Sequence, residues 1–552
     1  MEQQSIVPPT SPVLHVSPLK LGQLLILGFV ILCLQRLQTS NLKVWTEKSN
    51  TDEIFRESNT SFSPLWTTAT TDKTIEFREQ HEVPVEWIAA FRSYLVDNKT
   101  LILSYNKPNP KMILQNYSCR ATMVTKQVEL TTNPVAFKFL NPYVSKEYWT
   151  WAMIQLNARR GCNSSEPTNT VLFVGKALIP SQYQHLYVEG SSFVNGFFGM
   201  DAIGGPKDLE LEVREEFALK YGCELTETLN IMPKSYDLGR MESCCAFFSN
   251  PLNGETLWAL KPALSGGGRG ITIENGFSAT INRFRSSCYA ENCSTTVITT
   301  NKTQERRAKD RFVVQRVILN PLLIENRKFD IRTFIFVAST KPFLVYHRSG
   351  HLIRSLVNYS EIDISSKQYR DKFVANSNAA MKSDVPDSVK LSHHWSMREF
   401  QHYLSRHKIT TDDWVEDIFE NRVKKVERFI VEAAKSRITP TPGAFTLIGV
   451  DWVIDTDLKI HLLEANTTPG MNMAGKKLPL RSDYYVGLYL DIVLESIDVV
   501  TTLQTQDDDG SGWFSNSPAG TKFRKFEVIL NDYFDANCGI EHIEYNPCNN
   551  IW

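Results

Sequence analysis

One stretch constrains the chain more than any other: Phe445-Thr-Leu-Ile-Gly-Val-Asp-Trp-Val-Ile-Asp-Thr-Asp-Leu-Lys-Ile-His-Leu-Leu-Glu-Ala-Asn-Thr-Thr-Pro-Gly470. Apolar runs over Phe445–Ile454 and Ile460–Leu463 flank the polar turn Asp455–Lys459, the pattern of a β-hairpin with a buried face. Asp451, Glu464 and Asn466 sit inside or at the ends of those runs. Burying an unpaired acid in an apolar strand costs several kcal/mol, so such acids are paired or bind a cation. Oxygen ligands brought together on neighbouring strands are what Mg²⁺ held against nucleotide phosphates requires. A hairpin whose acids face solvent is the plainer alternative.

Two further stretches carry chemistry. In Trp258-Ala-Leu-Lys-Pro-Ala-Leu-Ser-Gly-Gly-Gly-Arg-Gly-Ile-Thr-Ile273 a strand ends at Lys261, and a loop containing Gly266, Gly267, Gly268 and Gly270 leads into the next strand. Glycines let backbone N–H groups approach phosphate oxygens, and Lys261 adds a point charge. The spacing is not that of a Walker loop, and a Gly-rich hairpin tip without function has the same pattern. In Arg327-Lys-Phe-Asp-Ile-Arg332, a period of two places Lys328, Asp330 and Arg332 on one strand face and Phe329 and Ile331 on the other. That face suits phosphate oxygens, with Arg354 on the next strand adding charge; salt-bridged surface strands are the competing reading.

Strand and helix signals alternate from Val171 onward, which favours α+β or α/β layering. Lys207–Tyr221 has helical spacing. Asp412–Ile438 reads as one amphipathic helix with Thr411 as N-cap and Trp414, Val415, Ile418, Phe419, Val423, Val426, Phe429, Ile430 and Ala433 as its apolar stripe. The net charge of −1 gives no electrostatic footprint for nucleic acid.

Residues 1–20 read as a disordered tail. Residues 21–37 hold an apolar run of about 17 residues, the lower limit for a membrane-spanning helix. A single-pass anchor is the favoured reading, with a signal peptide and a soluble amphipathic helix as alternatives. Residues 41–166 read as a stem and small accessory region, 171–500 as the main body, and 501–552 as an acidic linker and tail in which Cys538 and Cys548 suit a disulfide. Nine of the ten cysteines follow the apolar run, and sequons occur at Asn59, Asn98, Asn116, Asn163, Asn292, Asn301 and Asn358. Both features lean toward a glycosylated body on the lumenal side of a secretory membrane.

Lys261-Pro with its glycine loop, Val314-Gln-Arg, Arg327-Lys-Phe-Asp-Ile-Arg332, and Gly449-Val-Asp451 followed by Leu462-Leu-Glu-Ala-Asn466 together resemble the tubulin-tyrosine ligase family, over roughly residues 171–500. The resemblance implies an ATP-grasp fold and an ATP- and Mg²⁺-dependent ligase. Such an enzyme adds a free amino acid (Tyr, Glu or Gly) to a protein carboxylate, tubulin being one candidate, through an acyl phosphate. It also implies that Lys207 and Lys261 contact the nucleotide and that Gln315, Arg316 and Ile318 line the adenine pocket. Lys328, Asp330, Arg332 and Arg354 then surround the γ-phosphate and the acceptor carboxylate, while Asp451, Glu464 and Asn466 hold magnesium. Phe373-Val-Ala-Asn376 resembles the family's His-Leu-Thr-Asn with only Asn376 kept. That departure leaves a second reading, an inactive ATP-grasp protein acting as a binding or scaffold module.

Overall fold

The computed structural model describes residues 192–222, 231–285, 311–356, 392–471, 482–505 and 519–533, with short pieces within 85–92, 135–139, 148–153 and 169–173 and a few isolated positions such as Cys288 and Tyr359. All of these fall within one compact unit, Phe77–Tyr533. The apolar run at 21–37, Asn376 and the Cys538/Cys548 pair lie outside the described residues. No helix among the described residues is long and apolar enough to cross a membrane.

The described strands are numbered in chain order. The first three are β1 (Val135–Phe139), β2 (Asn169–Phe173) and β3 (Ser192–Asn195). Next come β4 (Ser235–Asp237), β5 (Leu257–Pro262), β6 (Thr272–Asn275) and β7 (Phe312–Arg316). The remainder are β8 (Leu323–Ile324), β9 (Arg327–Thr340), β10 (Phe343–Arg354), β11 (His394–Ser396), β12 (Ala444–Ile454), β13 (Ile460–Asn466), β14 (Lys522–Phe523) and β15 (Phe526–Asn531). The helices are α1 (Asp201–Gly204), α2 (Lys207–Lys220), α3 (Met241–Ser249), α4 (Leu252–Glu255), α5 (Ala279–Asn282), α6 (Met397–Arg406), α7 (Asn421–Ala434) and α8 (Asp483–Thr505).

These elements make a mixed α/β protein with two sheets. The large sheet has the order β1-β2-β3-β12-β9-β10-β15-β14, with β13 on β12, β11 on β10 and β8 on β9. Pairing is parallel from β1 to β12 and antiparallel beyond it. The small sheet has the order β4-β7-β5-β6 and is antiparallel throughout.

Alternation along β9 explains how the large sheet is covered. Phe329, Ile331, Ile335 and Val337 enter one core with α6 and α7, while Phe334 and Phe336 enter a second core with Tyr485, Tyr489 and Val493 of α8. Moving along β9 from Phe334 toward its start, the face that α8 covers changes from apolar to charged at Arg332. The same change occurs on β12 between Leu447 and Asp451. That transition is where the site lies.

Several expectations hold. The hairpin Ala444–Asn466 is antiparallel with its turn at Asp455–Lys459, the helix at Lys207–Lys220 forms, and Phe329 and Ile331 are buried opposite Lys328, Asp330 and Arg332. Others are revised. The expected helix over 412–438 opens as a π-helical turn, Val415–Glu420, and closes as a 3-10 turn, Lys435–Arg437. The wider turn rotates Ile418 out of the apolar stripe, leaving it 52% exposed. Thr411 supplies a backbone carbonyl to Trp414 N rather than a side-chain cap.

Tyr148, Trp149 and Trp151, expected in an accessory region, pack into the α8-side core with Phe91, Phe445 and Tyr489. Phe526–Asn531, expected in a tail, pairs with β10, and Lys424 Nζ to Glu527 (2.7 Å) ties it to α7. Both segments carry large apolar side chains whose burial, at about 25 cal/mol per Å², outweighs leaving them in water.

Candidate active site between the two sheets

Three adjacent strands put three ionisable groups in one cross-strand row. Asp451 on β12 stands opposite Arg332 on β9 and opposite Glu464 on β13. Arg332 donates to both oxygens of Asp451, Nε to Oδ1 at 2.5 Å and Nη2 to Oδ2 at 2.7 Å. Asn466, two positions past Glu464, donates from Nδ2 to Asp451 Oδ2 (3.3 Å) and Glu464 Oε1 (3.4 Å). The period-2 alternation read in Arg327–Arg332 thus delivers Arg332 to an acid 119 residues away in sequence.

Cations face this row from outside the large sheet. Lys207, at the start of α2, reaches Glu464 Oε2 at 3.2 Å and the Ser265 carbonyl of the glycine loop at 2.9 Å. Lys261, at the end of β5, donates to Gln315 Oε1 at 2.6 Å, and Gln315 in turn reaches Ser235 Oγ at 3.2 Å. The glycine loop closes the β5–β6 hairpin, with Gly267, Gly268 and Gly270 at φ of 67°, 71° and 75°, a region few other residues adopt. Lys207, Lys261, Gln315 and Glu464 line one cleft with Glu210, Arg214 and Met232.

Burial sets the electrostatics. It lowers the Lys261 ammonium to about 8, against the pull of Glu464. Burial would raise Glu464, yet Lys207 and Lys261 overcome it and hold the carboxyl below its usual range. Burial would strip Arg332 of its proton, and the Asp451 carboxylate overrides this and holds it charged. Lys328 and Asp330 pair with each other on the same face. Burial raises Asp330 more than Lys328 lowers it. Four cations (Lys207, Lys261, Lys328, Arg332) against three acids (Asp330, Asp451, Glu464) leave one net positive charge.

Most of the sequence-selected residues converge here, and four do not. Arg316 points away from Gln315 and is exposed, with its backbone N–H bonded to Lys234 O (2.8 Å). Ile318 follows the end of β7 and is half-buried. Asn376 lies outside the described residues. Arg354 sits further along β10 against Trp395, its guanidinium 4.5 Å from the indole centroid and bonded to Glu325 Oε2 (2.5 Å) and Ser392 O (3.1 Å).

Glu210 was not found from sequence. It is 3% exposed, paired with Arg214 at 2.8 Å, and accepts from Ala465 N at 3.3 Å. Burial lifts its carboxyl to about 7, with Arg214 and Lys207 opposing. In the sequence it is one more acid in a charged helix, and only packing against β13 sets it apart.

For a divalent cation, Asp451 Oδ2 and Glu464 Oε1 are two hard oxygens gathered on the Asn466 amide nitrogen (3.3 and 3.4 Å), a set that fits Mg²⁺ once the amide is turned to present its oxygen. Among the described residues no group of three His, Cys, Asp or Glu side chains forms a metal site unaided. A hexacoordinate cation here would complete its shell with water and ligand oxygens, the arrangement usual when Mg²⁺ is held against phosphates.

A cationic cleft between two sheets, facing a row of paired carboxylates, has the charge pattern that suits a compact polyanion. The chain belongs to the tubulin-tyrosine ligase family, whose description matches residues 210–506, more than half its length. It is 30% identical over 274 residues to the rat protein polyglycylase TTLL10, covering 48% of this chain and 38% of that one. It is 29% identical over 276 residues to the human inactive polyglycylase TTLL10, again 48% and 38%. To the bovine probable tubulin polyglutamylase TTLL9 it is 28% identical over 293 residues, covering 49% of this chain and 59% of that one. The chain thus spans about two fifths of the length of the polyglycylase relatives.

Proposed function

We propose that this chain is an ATP- and Mg²⁺-dependent carboxylate–amine ligase of the ATP-grasp type, joining an amino acid to an acceptor carboxylate through an acyl phosphate. The observation that carries this reading is the row Arg332–Asp451–Glu464 faced by Lys207 and Lys261. ATP is the phosphoryl donor, and Mg²⁺ supplies charge neutralisation on its phosphates. Lys207 and Lys261 bind phosphate oxygens, the glycine loop brings backbone N–H groups to them, and Gln315 positions the Lys261 ammonium. Arg332 and Lys328 offset charge on the transferred group. The chemistry needs position and charge and no covalent nucleophile from the protein.

The names of the relatives, polyglycylases and polyglutamylases, support glycine or glutamate as the amino acid and a protein side-chain carboxylate as the acceptor. The Cys244–Cys288 disulfide supports an oxidising compartment and, with the apolar run at 21–37, a membrane-anchored lumenal body. In that orientation the acceptor is a secretory-pathway protein; in the opposite one tubulin is the acceptor. A second reading, a binding protein that turns nothing over, is favoured by the human relative named as inactive.

ATP binding to the full chain with Mg²⁺, compared with Glu464→Gln and Lys261→Ala, separates the two readings once amino acids are added. Binding that both variants lose, followed by ATP consumption with glycine or glutamate and an acidic peptide, is the expected result. A folded wild type that binds no ATP overturns the ligase reading. Binding without any amino-acid-dependent turnover favours the second one.

A further inference from the structure

The cross-strand row continues past Arg332. On the next strand, β10, His351 stands opposite Arg332, so Glu464, Asp451, Arg332 and His351 occupy one line across β13, β12, β9 and β10. A bulge puts the histidine there. Arg348 pairs with Phe334 and His351 with Arg332, which leaves Ser349 and Gly350 opposite the single residue Thr333. Without the extra residue Gly350 would face Arg332, and His351 would turn to the opposite face of the sheet. The bulge requires glycine, because a Cβ at Gly350 would lie 1.9 Å from the Arg332 carbonyl oxygen.

His351 is fully buried, and its partners fix where its hydrogen sits. Nδ1 lies 3.3 Å from the Leu352 carbonyl oxygen and 3.2 Å from His394 Nδ1, while Nε2 lies 3.1 Å from the Tyr489 hydroxyl. A carbonyl only accepts, so the tautomer assigned to the neutral imidazole carries its hydrogen on Nδ1, and Nε2 accepts from the Tyr489 O–H. Tyr489, on α8, is buried with its ring edge-on to Phe334 (5.7 Å between centroids) and to His351 (5.6 Å). With its hydrogen committed to His351, the phenol oxygen offers only lone pairs to its other neighbours. The Arg332 guanidinium is within electrostatic reach of that oxygen, which favours its positive charge.

Arg332 is confined on its other sides as well. Asp451 takes Nε and Nη2. Gly449 leaves room beside the side chain: a Cβ there would stand 3.0 Å from Arg332 Cδ and 3.2 Å from Nη1. Among the described residues Nη1 makes no hydrogen bond.

We propose that Tyr489 and His351 are positioning residues for Arg332: the imidazole orients the phenol, and the phenol oxygen helps hold the guanidinium in its fork on Asp451, with Nη1 left for the transferred phosphoryl group. The inference rests on the ligase reading for the identity of that group. Neither residue touches substrate, since both are buried, and both act on Arg332 through charge and packing. The imidazole matters through one hydrogen atom. With leucine at 351 the Tyr489 hydroxyl is released to turn its hydrogen toward the guanidinium, an arrangement that repels.

The test compares Mg²⁺-ATP with Mg²⁺-ADP by titration calorimetry on the full chain, in wild type, Tyr489→Phe, His351→Leu, His351→Gln and the Tyr489→Phe/His351→Leu double variant, each checked by thermal denaturation. Wild type should prefer ATP, because Arg332 acts on the terminal phosphoryl group. Tyr489→Phe should cut that preference by about 3- to 10-fold and leave ADP affinity unchanged. His351→Leu should cut it to a similar extent, and the double variant no further than Tyr489→Phe alone, since both changes remove the same orienting contact. His351→Gln, whose amide oxygen can still accept from the phenol, should recover part of the loss. Tyr489→Phe keeps the ring packing, so it carries the test even where His351→Leu does not fold.

An ATP preference unchanged in Tyr489→Phe overturns the proposal. Equal losses of ATP and ADP affinity overturn it too, since they mark a purely structural role. A wild type that binds both nucleotides without preferring ATP also overturns it, while the nucleotide site stands. A wild type that binds neither overturns the ligase reading and this inference with it.

Discussion

Arg332 and Asp451 face each other across neighbouring antiparallel strands and meet through two parallel hydrogen bonds, at 2.5 and 2.7 Å, with both side chains about 13% exposed. The fork holds the Asp451 carboxylate beside Glu464, its register partner, and within reach of the Asn466 amide. It also means that neither partner can be removed alone without leaving a buried charge unpaired.

Arg332→Ala should therefore destabilise the protein by about 3–5 kcal/mol in urea denaturation, and Asp451→Ala by a similar amount. The double variant should cost clearly less than the sum of the two, since the orphaned charge is gone. Additive losses would show that the pair contributes nothing as a pair.

Lys261 gives opposite pH dependences for binding and for stability. Its ammonium, lowered by burial to about 8, loses its proton as pH rises from 7 to 9, so nucleotide affinity should fall over that interval. Between about 8 and 10.5 the unfolded chain binds more protons at this group than the folded one, so its contribution to stability without nucleotide should rise with pH. Lys261→Met should flatten both profiles, which titration calorimetry and urea denaturation at pH 7, 8 and 9 would register.

His347 lies between Glu427 (2.7 Å from Nδ1) and Glu420 (2.6 Å from Nε2), with Thr333 and Ser349 bonded to the far oxygens of the two acids. Burial opposes its charge, and the two carboxylates outweigh burial and raise the imidazolium to about 10. A folded pKa above the unfolded 6.5 means that this stabilisation is complete below pH 6.5 and fades as pH approaches 10. His347→Gln should cost about 3–5 kcal/mol at pH 6 and much less at pH 10. An equal loss at both values would refute the charged-histidine account.

Cys244 and Cys288, 5.8 Å apart at Cα, are joined by a disulfide that closes a segment of 44 residues containing the whole β5–β6 hairpin and its glycine loop. Chain entropy alone makes such a link worth about 4 kcal/mol. Replacing both cysteines by serine should lower the denaturation midpoint of the small sheet and weaken nucleotide binding, while tryptophan fluorescence from the Trp149 and Trp452 cores of the large sheet shifts less. A single unshifted transition would mean that the link adds nothing there.

What the sequence determined by itself was local and periodic. Alternation in Arg327–Arg332 put three ionisable side chains on one face, the acids inside Phe445–Asn466 marked a hairpin that cannot be wholly apolar, and four glycines after Lys261 marked a phosphate-sized loop. Each reading depends on residues within about one element of each other, where backbone geometry fixes side-chain direction. Tertiary structure decided which charge meets which. Strand register over 119 residues paired Arg332 with Asp451, and helix packing turned Glu210 into a buried acid and enclosed His347 between two others. A one-turn π segment put Ile418 in water. Burial and long-range register change a group's charge state and partner without leaving a trace in its neighbours along the chain, which is why the strand faces were legible and the electrostatics were not.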